Sequence, residues 1–111
     1  MAKERKPNGN QYLKRLDHVV WKVMESRGIL LNLENGAYFE IGPVGLSIWH
    51  QCDGRRSSQA IVQSVAQEFR ADVQRVRRDF TAFVAELRRR ELVKASATPV
   101  AASARPLKKT R

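Results

Sequence analysis

The sequence has a single cysteine, Cys52, in 111 residues, so no intrachain disulfide can staple it. No apolar run approaches the ~18 residues that would span a bilayer. The first ten residues are polar and lack the apolar segment of a signal peptide. These absences predict a cytoplasmic chain that does not enter a membrane. There are only two histidines, His18 and His50, and neither has a cysteine or carboxylate at ligand spacing. A structural zinc site needs about four ligands, so no metal is expected. Neither a P-loop nor a GxGxxG motif is present. His50 lies two residues before Cys52 and points elsewhere on a helix, which leaves the thiol without a base. Ser57-Ser58 reads as a helix cap. The sequence therefore predicts no catalytic residue, no cofactor and no enzyme.

Acidic residues are also scarce, with 11 Asp and Glu against 21 Lys and Arg, a formal net charge of +10. The excess lies in the two ends. Residues 1–16 carry five basic side chains and one acid, and residues 94–111 carry five basic side chains and no acid. Residues 17–93 are nearly balanced, with eleven basic and ten acidic side chains. The end segments contain too few large apolar residues to offset the entropy of ordering. The expected organisation is a partly disordered basic segment over 1–16, one folded domain over 17–93 and a disordered basic tail over 94–111. A chain of this length buries only about 60% of its unfolded surface, which leaves no room for a deep multi-residue pocket.

Within 17–93 the hydrophobic period changes once. Asp17–Glu25 is rich in β-branched and aromatic residues and reads as a strand, followed by a turn at Arg27-Gly28. Gly28–Glu34 reads as a second strand. Asn35-Gly36 is a strong hairpin signal, because both residues tolerate positive φ. Ala37–Ile41 reads as the third strand. A two-residue turn would place Leu33 opposite Tyr38, Asn32 opposite Phe39 and Leu30 opposite Ile41. One face then carries Leu30, Phe39 and Ile41 with Asn32; the other carries Leu31, Leu33 and Tyr38 with Glu40. Neither face is fully polar, so the sheet needs a cover on one side and invites a partner on the other.

After Gly42-Pro43 the period becomes helical. Val44, Ile48, Trp49 and Cys52 form one stripe, ended by Asp53-Gly54. Ser57 caps a second helix carrying Ile61, Val62, Val65, Ala66 and Phe69. Asp72 caps a third, with Val73, Val76, Phe80, Phe83, Val84 and Leu87 on its apolar stripe. The fold class predicted is α+β, winged helix-turn-helix-like: a three-stranded antiparallel sheet followed by three helices.

That architecture raises a DNA-binding transcriptional regulator as the alternative function. The third helix argues against it. Asp72, Asp79 and Glu86 form an acidic stripe beside the apolar seam, with ion pairs expected from Arg75 to Asp79 and from Glu86 to Arg90. A major-groove reader wants an uninterrupted basic or amide face. The third strand offers a different use. If its hairpin partner lies on one side, its other edge presents unpaired N–H and C=O groups, guarded only by Glu40. Such an edge can accept an extended peptide as a further strand. The competing occupants are the N-terminal segment and a second copy of the chain, which would make a homodimer.

The ordered set Leu30-Leu31-Asn32, Asn35-Gly36, Gly45-Leu46-Ser47-Ile48-Trp49, Asp53-Gly54, Ile61-Val62, Phe69, Asp79-Phe80, Phe83-Val84, Leu87 and Glu91-Leu92-Val93 resembles the PqqD family, the leader-binding domains of peptide-maturation systems. The resemblance runs from Gly28 to Val93. Two departures are visible: Gly42-Pro43 replaces an Asn-containing turn, and Glu91 stands where many relatives have Gly. The resemblance implies a non-catalytic adaptor. It would capture the leader of a ribosomally made precursor peptide by strand addition and present it to a maturation enzyme, a radical SAM enzyme or a leader peptidase. The matching positions are Tyr38, Phe39, Glu40 and Ile41 on the strand, with Arg75, Val76, Asp79, Phe80 and Phe83 on the third helix.

Overall fold

A computed structural model describes residues 11–99. The expected disorder of residues 1–10 and of the distal tail lies outside the described residues. The elements run β1 (Tyr12–Arg15), β2 (Val19–Met24), β3 (Arg27–Asn32), β4 (Tyr38–Ile41), α1 (Pro43–Gln51), β5 (Asp53–Ser57), α2 (Ser58–Glu68), α3 (Val73–Arg89) and β6 (Val93–Ser96). Two antiparallel three-stranded sheets form, one ordered β2-β3-β4 and the other β5-β1-β6. The expected sheet and three helices are present, and the second sheet is additional. Its strands β1 and β6 extend the folded unit beyond both expected boundaries, at 17 and at 93. They are short, and Leu13 and Val93 are the buried apolar residues that anchor them. The Asp53-Gly54 pair, expected only to end a helix, opens β5 and pairs it with β1.

One core serves both sheets and all helices. Trp49 is fully buried at its centre, with Leu13, Leu30, Ile48, Ile61, Val65, Leu87 and Leu92 around it. Trp21 packs edge-on against Trp49 at 5.4 Å, and the Arg15 guanidinium lies over both rings. Arg15 also donates to the carbonyls of Trp49 and His50, placing a cation at the C-terminal end of α1. Ser57 and Asp72 cap α2 and α3 as their sequence positions require, accepting from the N–H groups of Ala60 and Arg75.

The turns differ from expectation in instructive ways. The β2–β3 turn is Glu25-Ser26, with Glu25 at φ 60, and Gly28 lies inside β3. A Cβ on Gly28 would come within 3.0 Å of Leu46 and 3.3 Å of Ile41, so this glycine serves close packing and not a turn. The β3–β4 register pairs Leu30 with Phe39 and Leu31 with Tyr38, two residues away from the two-residue-turn register. An even shift leaves every side chain on its predicted face.

Asn32 causes that shift. Its Oδ1 accepts from the N–H groups of Glu34 and Asn35, its carbonyl accepts from Gly36, and its N–H donates to Ala37, which closes a longer loop. Its Nδ2 donates to the carbonyls of Arg90 and Glu91 beyond the end of α3. The side chain is fully buried, so each of these bonds replaces water that cannot enter. Glu91 is itself at φ 59, the left-handed residue of a Schellman ending in which Leu92 N–H bonds the Leu87 carbonyl. Glycine is the residue that this backbone position favours.

Two stability predictions follow from this junction. Asn32→Leu should cost about 2–4 kcal/mol in urea unfolding, because it leaves buried donors and acceptors unpaired. Glu91→Gly should gain about 0.5–1 kcal/mol, since glycine adopts positive φ without strain.

Candidate functional site

β4 is an edge strand of the β2-β3-β4 sheet, and among the described residues no strand pairs with its outer side. The ladder alternation fixes which of its groups face outward. Asn32 N–H donates to the Ala37 carbonyl, so Leu30 with Phe39 and Gly28 with Ile41 are the hydrogen-bonded pairs of the hairpin. Tyr38 and Glu40 then turn their N–H and C=O groups to the open edge. Their side chains lie on the sheet's outer face, where Arg27 pairs with Glu40 at 3.4 Å. Phe39 and Ile41 point inward. Ile41 is buried in the core, and Phe39 is half-buried.

Phe39 stacks on Phe83 of α3, with ring centroids 6.2 Å apart and planes 28° from parallel. This contact brings the strand set and the helix set together. Close behind it, a Cβ on Gly45 would meet Phe83 at 3.1 Å and Ile41 at 3.2 Å, so the glycine lets α1 approach both. The remaining helix residues of the predicted set, Arg75, Val76, Asp79 and Phe80, line a neighbouring recess of about 480 Å³ between α1, α2 and the first turns of α3. Val76 and Phe80 form its buried floor, while Arg75 and Asp79 are exposed on its rim. The ion pair expected between Arg75 and Asp79 does not form.

Sequence reasoning missed Arg90 as a site residue. Its guanidinium lies 4.3 Å from the centre of the Phe39 ring and donates to Glu86 at 2.7 Å. Arg89 donates to the same carboxylate. Arg89 first, then Arg90, holds Glu86 below the usual carboxylate range. Arg90 is seven residues after Phe83, so heptad spacing from an aromatic already singled out was the available signal. The result is an apolar floor of Phe39 and Phe83 bordered by a fixed cation and, further along α3, by both signs of charge.

Cys52 lies elsewhere, buried on α1's core side, with its thiol donating to the Ile48 carbonyl. Burial pushes it up from the ordinary 9.0 to about 12; the charge of Arg15 opposes the rise and that of Asp53 adds to it. It is packing, not a nucleophile. No group of three or more metal-ligating side chains exists among the described residues, nor any helix long and apolar enough to cross a membrane.

Comparisons with known proteins bear on this geometry. The family model described as coenzyme PQQ synthesis protein D (PqqD) matches residues 27–93. Among solved structures, the chain is similar to that of TbiB1 in complex with the TbiA(beta) leader peptide. The two are 33% identical with a TM-score of 0.66, over 73% of this chain and 94% of that one. No curated protein matches by sequence.

The buried thiol gives a direct chemical prediction. Cys52 should resist a thiol reagent at pH 8 in the folded protein and react once urea unfolds it. Below about 9 both states hold the proton and folding loses nothing. Above that, the unfolded chain ionises first, so stability should fall with rising pH until the folded thiol also ionises near about 12. Urea titrations at pH 8 and pH 10.5 would check the sign.

Proposed function

This chain belongs to the PqqD family, and from that premise we propose that it captures the leader of a ribosomally made precursor peptide and presents it to a maturation enzyme, with no catalysis of its own. The observation that carries the reading is the outward ladder of Tyr38 and Glu40, set beside the Phe39–Phe83 contact. TbiB1, similar in fold and sequence, is in complex with a leader peptide.

The guest would add antiparallel or parallel to β4 and exchange main-chain bonds with Tyr38 and Glu40. Every second guest side chain would then face the Phe39–Phe83 floor, with the Arg90 guanidinium beside it. An apolar or aromatic guest residue suits that floor. Arg75 and Asp79, on the rim of the recess between α1 and α3, would select by charge where the guest runs past the N-terminal half of α3. Val76, Phe80 and Ile41 hold the wall in place from beneath. The enzyme served is of the radical SAM or leader-peptidase kind.

The test separates main chain from side chain at one position. Titration of the protein with the synthetic leader of a precursor peptide encoded in the same genome should shift the Tyr38 and Glu40 amide resonances most. Glu40→Pro removes an outward donor without removing a hairpin bond, and should weaken binding at least about tenfold. Glu40→Gln should bind within about twofold of the parent. Equal affinity in the folded proline variant would refute strand addition at this edge.

A further inference from the structure

The outer face of the β2-β3-β4 sheet has no part in holding a guest against α3, yet it is apolar at one end. Register places Val20, Leu31 and Tyr38 in one row across all three strands. Val20 is 46% exposed, Tyr38 70%, and Leu33, just beyond β3, 59%. The next row, Lys22-Ile29-Glu40, carries a charge at each end, with Arg27 beside it paired to Glu40. An ordinary solvated sheet face would not string its apolar residues into one continuous row.

We propose that this row is the docking surface for the enzyme that modifies the captured peptide, an inference that rests on the peptide-capture reading. The row ends at Tyr38, whose backbone forms the open edge. A strand added there would lengthen each row by one guest residue. A protein seated on the row would therefore touch the adaptor and the outward side chains of the guest together, which is what handing over a peptide requires. Other occupants fit less well. A second copy would bring a further formal charge of +10 against the first. The chain's own ends are basic and poor in large apolar side chains. The fitting surface is an apolar strip with acidic residues around it, steered by the basic ends of this chain.

The experiment uses the full chain with the precursor leader that it binds and the enzyme that processes that precursor. The double variant Val20→Thr/Leu33→Gln keeps β-propensity on the strand and alters only exposed side chains. Circular dichroism and leader affinity within about twofold of the parent establish that the fold and the guest edge are intact. Should the double variant misfold, Val20→Thr alone, in the same row, replaces it. Enzyme affinity, measured by anisotropy with and without leader, should fall at least about tenfold, and the rate of precursor processing with it. Unchanged enzyme affinity with intact leader binding overturns the docking surface and leaves peptide capture standing. Enzyme binding that depends on Val20 and Leu33 in a parent that takes no leader overturns peptide capture instead. A parent dimer that the double variant dissociates, with enzyme affinity unchanged, assigns the row to self-association and also overturns the proposal.

Discussion

The buried carboxamide of Asn32 is the constraint on which the rest of the molecule depends. It sets the length of the β3–β4 loop through its oxygen and grips the end of α3 through its nitrogen. Hairpin and helix are far apart in sequence, and this one side chain links them directly. Because the carboxamide is buried and bonded through both its oxygen and its nitrogen, slipping the hairpin would leave several polar groups without partners. The separation between β4 and α3 is thereby held. The Phe39–Phe83 stack, with Arg90 over it, is a consequence of that spacing.

Much of this was legible from the chain. Alternation and helical period located β2, β3, β4 and all three helices, and the caps at Ser57 and Asp72 were read from residue type alone. The faces of the sheet were read correctly even though the register was not, because an error of two residues preserves parity. The second sheet was illegible for a physical reason. β5 reads Asp-Gly-Arg-Arg-Ser and has no apolar alternation; it is a strand only because β1 lies beside it. Gly28 was misread because composition cannot tell a glycine that bends the chain from one that makes room for Leu46. The predicted site divided likewise. Phe39 and Phe83 meet, Arg75, Val76, Asp79 and Phe80 line an adjoining recess, and Arg90 joined the strand only once the helix was placed against it.

Two glycines and two left-handed non-glycines show how this small fold distributes strain. Gly28 and Gly45 sit where backbones must approach side chains closely. Arg70 and Glu91, by contrast, occupy left-handed positions that end α2 and α3, where glycine would be more comfortable. A core that includes a fully buried Trp49 tolerates these two, and Glu25 in the β2–β3 turn, at a cost of about 1 kcal/mol each.

The brevity of β4 has a kinetic meaning. Only two of its residues offer main-chain groups outward, so at most about four ladder bonds are available, each worth about 1 kcal/mol net. That handhold alone corresponds to millimolar attraction. Tight recognition must then come from side chains, and a guest that loses its grip on the Phe39–Phe83 floor should leave within moments. A short strand thus makes a carrier that lets go, so that one molecule can serve many cargoes in succession.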